Sequence, residues 1–224
     1  MSARRTESGP LERAARASLK DAGRSLARLE RECAGAVAAA AETLLACLEN
    51  GGTVYFCGNG GSAADAQHLA AELQGRYFVE RPALAAVALT VNTSSLTAIG
   101  NDYGYAQVFS RQLEGLGAPG DVLVAITTSG GSDSIRRCVQ VAQRLGMTVI
   151  GMTGEKGAEF AALCDVALVT PSTITPRIQE GHIAMGHTIC ELVERALFPQ
   201  APPANARPKR SARAKASRGA RRRR

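Results

Sequence analysis

The stretch "VYFCGNGGSAADAQHLAAE", residues 54–72, decides the fold. "VYFC" is a short apolar run of the kind that forms a buried strand. Gly58, Gly60 and Gly61 break it into a tight turn, and Ser62 is placed to cap the helix that begins there. The following residues are mostly alanine, leucine, glutamine and glutamate, all good helix formers. A strand, a glycine turn and a helix in that order open a parallel α/β sheet. The amides at such a helix start favour an anion, so the turn suits a phosphate, although alone it is as readily a plain turn. It matches a dinucleotide fingerprint only weakly, because "VALTVNTSS" (87–95) lacks the acid expected at the end of the second strand. No Gly-Lys-Ser/Thr follows, so it is not a nucleotide-triphosphate loop.

Outward from this unit the same alternation continues. Apolar runs at 53–57, 84–89, 121–126, 148–152 and 165–169 predict five strands, each followed by a loop or helical pattern. Helices are expected at 62–75, 105–114, 132–145, 158–163 and 176–197. The expected fold is α/β, a five-stranded parallel sheet flanked by helices in three layers, flavodoxin-like. Residues 11–49 contain no proline and repeat apolar residues at helical spacing from Leu19 to Leu48, which predicts one long or two consecutive amphipathic helices ended by "ENGG" (49–52). The expected division is an N-terminal helical segment at 1–52 that packs on the core and on an oligomer interface, the α/β domain at 53–198, and a tail at 199–224.

The net charge of +7 belongs to that tail. Residues 201–224 hold ten Lys or Arg and no acid, whereas residues 1–200 carry 17 basic against 20 acidic residues. The tail has no aromatic or branched apolar residue to bury and is expected to be disordered, a solvated appendage or a weak, salt-sensitive contact for a polyanion. The N-terminus lacks a secretory apolar stretch, and no apolar run spans a bilayer, so a cytoplasmic protein without membrane contact is expected. Six scattered cysteines with no CxxC pair read as small buried apolar residues.

Ligands of an open parallel sheet bind beyond the carboxyl ends of its strands. Three further segments fall there. "ITTSGGSDS" (126–134) gathers Thr127, Thr128, Ser129 and Ser132 around two glycines before a helix, a donor set suited to a phosphate monoester and equally an ordinary capped turn. Two such loops at one sheet edge can divide a polar substrate between them. "QHLAAE" (67–72) puts His68 and Glu72 at i and i+4 on one helical face, where they can chelate a metal, set a base beside an acid, or merely share a surface hydrogen bond. "TPRIQEGHIAMGH" (175–187) holds two of the three histidines in the chain. Gln179, Ile183 and His187 lie near one face, with Glu180 and His182 turned away, so His182 reads as structural. Gln179 and His187 can join His68 and Glu72 in an N/O set suited to zinc or another late first-row metal.

In order and spacing, "GNGGSAADAQHLAAE", "LTAIGNDYGYAQVFSRQ", "GDVLVAITTSGGS" and "RIQEGHIAMGH" resemble the sugar isomerase (SIS) domain family, and within it the phosphoheptose isomerases, over about residues 30–198. The resemblance implies a homotetramer with active sites at subunit interfaces and one zinc ion per subunit, held by His68, Glu72, Gln179 and His187. It implies substrate contacts from Asn59, Gly60, Gly61, Ser62, Glu72, Asn101, Asp102, Thr127, Thr128, Ser129, Ser132 and Gln179. The implied reaction converts sedoheptulose 7-phosphate to glycero-manno-heptose 7-phosphate through an enediolate, the first step toward activated heptose. Glu72 is the expected base and His187 its acid/base partner. Relatives often carry an acid where this chain has Asn92, and another in place of Ile174 or Pro176. The alternatives are an isomerase of another sugar phosphate, or a non-catalytic relative that binds the bacterial replication initiator.

Overall fold

The computed structural model describes residues 9–199; the basic tail and its possible polyanion contact lie outside the described residues. The long apolar repeat at the N-terminus forms one uninterrupted helix, α1 (Pro10–Glu49). Then come β1 (Val54–Gly58), α2 (Gly61–Gln74), β2 (Ala86–Ala88), α3 (Thr93–Tyr103) and α4 (Ser110–Leu116). The remainder is β3 (Val122–Ile126), α5 (Asp133–Arg144), β4 (Thr148–Gly154), a short α6 (Ala158–Ala161), β5 (Val166–Thr170) and α7 (Thr175–Leu197). All strand pairs are parallel, in the order β2-β1-β3-β4-β5.

The period of two along each strand divides the core. Val54 and Phe56 of β1 join Val122, Val124 and Ile126 of β3 in one apolar cluster with α1, α2 and α7. Tyr55, Cys57, Leu123 and Ala125, the alternate residues, face α4, α5 and Phe160 of α6. Both faces are thereby covered, as a parallel sheet requires, and each fully buried Val, Leu, Ile or Phe stabilises the fold by about 1.5–3 kcal/mol. Five of the six cysteines are buried and all six are free thiols.

Three expectations need correction. The segment before Tyr105 is helical: α3 begins after Asn92, whose side chain accepts a hydrogen bond from the Ser95 amide at 3.0 Å. Asparagine caps as well as aspartate does, so the exchange at this position keeps the helix start. The helix expected at 105–114 is a 3-10 turn at Tyr105–Gln107 followed by α4, with Gly104 at φ 84° separating it from α3. Ser62 does not cap α2: Gly60 precedes the first helical residue at φ 57°, a left-handed turn suited to glycine, and Ser62 is buried inside the first turn. Pro176, the other departure, occupies the first turn of α7, where its missing N–H costs nothing.

His182 faces inward and is fully buried. Neither ring nitrogen meets a hydrogen-bond partner of good geometry among the described residues. Burial pushes its pKa down to about 4, only partly offset by the Thr153 backbone. The unfolded chain therefore takes up this proton near pH 6.5 while the folded chain does not until about pH 4. Stability from this group is intact above pH 6.5 and declines as pH falls toward 4, by on the order of 3 kcal/mol. Urea unfolding of the parent and of His182→Leu at fixed protein concentration tests this: the stability difference should fall against the parent across that interval, and a pH-independent difference would refute it.

Candidate functional site

Strand order reverses between β2-β1 and β3-β4, and the two central strands end together, Gly58 beside Ile126. The loops that follow them, 59–62 and 127–132, therefore start side by side at the sheet edge where open α/β sheets bind ligands. Asn59 is held from two sides: its Nδ2 donates to Ser134 Oγ at 3.0 Å, and Tyr105 donates its hydroxyl proton to Asn59 Oδ1 at 2.8 Å. The 3-10 turn carrying Tyr105 thus brings the end of α3 toward the first loop. Asn101 and Asp102 sit near that end, exposed, with Asn101 Nδ2 donating to Asp102 Oδ1 at 2.8 Å. Among the described residues no hydrogen bond joins them to Asn59.

In the second loop Thr127 is buried and accepts from the Gly130 amide at 3.3 Å, with its hydroxyl 3.5 Å from that of Ser132. Ser129 accepts from the Gly131 amide at 3.2 Å, and Arg136 ties the Gly130 carbonyl at 2.7 Å. Ser132 flanks the start of α5 without using its side chain as a cap. The loop is pre-shaped, with Thr128 half-buried and Ser129 exposed.

The titratable cluster lies between α2 and α7, which run alongside each other in the same direction. Leu69 of α2 fills the space a side chain at Gly186 would need, 2.6 Å from where its Cβ would stand. That close approach puts the preceding residue of α2 against the following residue of α7: His68 Nε2 and His187 Nε2 are 2.8 Å apart. One imidazole donates and the other accepts. Glu72 Oε1 is 3.4 Å from His68 Nε2, and one ligand atom from each of the three residues lies within 4.8 Å of the others. Tyr77 tilts its ring over His187 at 5.8 Å.

Gln179 sits at the other end of α2. Its amide nitrogen occupies the space that a side chain at Gly61 would fill, at the first loop. The seven residues from Gly61 to His68 separate these points by about 10 Å of helix rise. The structure thus gathers His68, Glu72 and His187, and puts Gln179 at the loop. Two imidazoles and a carboxylate fit zinc chemistry. Nitrogens on a tetrahedral zinc stand about 3.3 Å apart, so the rings need part by only about half an ångström.

Sequence reading did not single out Tyr105, Ser134, Tyr77, Arg81 or Glu194. Glu194 shows why: a glutamate two turns after His187 resembles an ordinary solvated side chain, yet it is buried. Burial pushes its carboxyl pKa up, but the amides of Phe78, Tyr77 and Val79 and the Arg81 side chain outweigh this and hold it below the ordinary value.

Residues 19–154 match the SIS domain family model. The phosphoheptose isomerase of Rhodospirillum rubrum is 57% identical over 166 residues, covering 74% of this chain and 88% of its own. That of a Bradyrhizobium species is 54% identical over 183 residues, covering 80% and 92%. The solved structure of the Neisseria gonorrhoeae phosphoheptose isomerase superposes with a TM-score of 0.78 at 45% identity, over 82% of this chain and 98% of that one. The loops at the strand ends, the cluster between α2 and α7, and these likenesses lead to one assignment: the chain belongs to the SIS domain family, among its phosphoheptose isomerases.

Proposed function

We infer that the protein is a ketose–aldose isomerase that converts sedoheptulose 7-phosphate to glycero-manno-heptose 7-phosphate, the first step toward activated heptose. The observation that carries this is the cluster of Glu72 with two histidines beside a pair of loops rich in hydroxyls and amides. Relatives named phosphoheptose isomerase at 57% and 54% identity support the substrate.

The phosphate is held by the loop of Thr127, Thr128, Ser129 and Ser132, and the sugar hydroxyls by Asn59, Gly60, Gly61, Ser62, Asn101, Asp102 and Gln179. Neutral donors and a helix start suit a phosphate dianion without the desolvation of a buried cation. With the substrate open, Glu72 takes a proton from C1 and electron density moves onto the C2 carbonyl oxygen, giving the enediolate. Returning a proton to C2 as O1 loses its own closes the aldehyde. His187 moves the proton between the two oxygens, an exchange suited to an imidazole. The Glu72 side chain is about three-quarters buried.

His68, Glu72 and His187 are the donors that would hold zinc, with Gln179 as the fourth if its amide leaves Gly61. When bound, zinc supplies Lewis-acid stabilisation to a negative oxygen. We extend the reading to a cytoplasmic homotetramer with reaction centres at subunit boundaries. Supporting it are Leu11 and Leu19, which stand exposed on the first turns of α1, and a groove of about 500 Å³ between α1 and α7 lined by Leu26, Val37, Met185 and Leu192. No helix among the described residues is long and apolar enough to cross a membrane.

Incubation with sedoheptulose 7-phosphate in deuterated water should give aldose and exchange at C1 by NMR, and neither product with metal supplied would end the isomerase reading. Glu72→Gln should lower kcat by roughly 10²–10⁴-fold, the ordinary worth of a general base; exchange at the parent rate would remove Glu72 from that role. Elemental analysis of the native oligomer should find about one zinc per chain, and the double variant His68→Ala/His187→Ala should lose it. In sedimentation, Leu26→Glu with Leu192→Glu should shift the tetramer to smaller species; an unchanged tetramer would move the interface elsewhere.

A further inference from the structure

We propose that the buried Arg81–Glu194 ion pair is the positioning device of the reaction centre, setting α2 against α7 so that Glu72 and His68 meet His187. The proposal rests on the assignment of those three residues to the reaction. Both side chains are almost wholly out of water, 1% and 2% exposed, with Arg81 Nε 3.0 Å from Glu194 Oε1. Among the described residues no other ion pair is buried at both ends; the rest have at least one partner substantially exposed.

Each partner also grips backbone next to the cluster. Arg81 Nη2 donates to the carbonyl oxygen of Glu72 itself at 2.8 Å, and Nη1 donates to those of Leu73 and Gly75 at 2.7 and 3.2 Å. These carbonyls belong to the last turn of α2 and its cap, where helix carbonyls lack partners and a cation is favoured. That turn has no basic residue of its own. Glu194 lies two turns beyond His187 on α7 and accepts from three successive amides, Tyr77 at 2.8 Å, Phe78 at 2.5 Å and Val79 at 3.0 Å. It thereby holds the segment that lays the Tyr77 ring over His187. Phe198, just past α7, covers the guanidinium at 5.8 Å. One charge pair therefore ties the backbone of the proposed base, the segment over its partner, and the helix that carries that partner.

Stability alone does not account for such a pair. Desolvating two charges commonly offsets their attraction, and apolar replacements are often neutral or better. A network in which each side-chain nitrogen and oxygen has a partner does specify geometry. Lysine in place of Arg81 keeps the charge but cannot span the carboxylate and the three helix carbonyls with one planar fork.

The test uses Arg81→Lys and Glu194→Gln in the full chain, with the exposed-pair variant Arg137→Lys as control. For folded Arg81→Lys of unchanged oligomeric state, kcat should fall at least 10-fold with KM within about 2-fold. Zinc affinity, read by chelator competition, should fall about 10–100-fold. In the metal-free protein the 15N signals of His68 and His187 should lose their mutual coupling. Methylguanidine should restore part of kcat to Arg81→Ala. Unchanged kcat, zinc affinity and histidine signals in Arg81→Lys, or losses that track only the folded fraction, would overturn the proposal. If Glu194→Gln fails to fold, Arg81→Lys decides alone. Should the parent not isomerise the heptose, the zinc and histidine readouts still test the pair independently of that reading.

Discussion

The cluster of His68, Glu72 and His187 depends on how closely α2 and α7 approach. Where Leu69 packs into the space left by Gly186, the two helix backbones come near enough for His68 and His187 to touch through their ring nitrogens. Any larger residue at position 186 drives the helices apart or displaces Leu69, and close-packed interiors do not absorb such volume without strain. The sheet below gives both helices a common floor, since α2 and α7 cover the same face of β1 and β3. Register then aligns the strand ends: Gly58 and Ile126 end their strands side by side, so the two glycine- and hydroxyl-rich loops start together.

Three histidines from one chain show how position decides chemistry. His187 and His182 are five residues apart on α7, yet one shares a hydrogen bond with His68 and the other is sealed in the core without a ring partner among the described residues. The helix period turns them to different neighbours, α2 for one and the sheet for the other. Loss of hydration holds the buried ring's pKa well below the ordinary value. Charge is handled in the same way. Exposed pairs such as Arg137–Asp133 stand at the surface, where ion pairs contribute little, whereas Arg81–Glu194 is enclosed, with a hydrogen-bond partner for each side-chain nitrogen and oxygen.

Much of the fold was legible because its signals are local. The apolar runs and the glycine turns at 58–61 and 130–131 reproduce all five strands, and the proline-free repeat at 11–49 becomes one helix. The α3 helix was hidden because "TSSLTAIGNDY" mixes hydroxyls, β-branched residues and glycine, and its start depends on an asparagine cap. Ser62 resembles a cap because it follows a glycine turn, while the helix is capped two residues earlier, at Gly60. Asn59, by contrast, was read from the turn alone, but its two anchors, Ser134 and Tyr105, come from elements 75 and 46 residues away.

By itself the sequence determined which chemistry was available: two hydroxyl-rich turns at strand ends, a His/Glu pair on one helical face, and a second histidine on a distant helix. Those are properties of residue type and short spacing, and helical and strand periods transmit them directly into local geometry. Only the tertiary structure decided that His68 meets His187 across 119 residues, that Gln179 rests on the Gly61 turn, and that Glu194 is buried against Arg81. Such contacts follow from which faces pack and how closely, a balance of volume, desolvation and backbone hydrogen bonding over the whole chain that no short stretch contains.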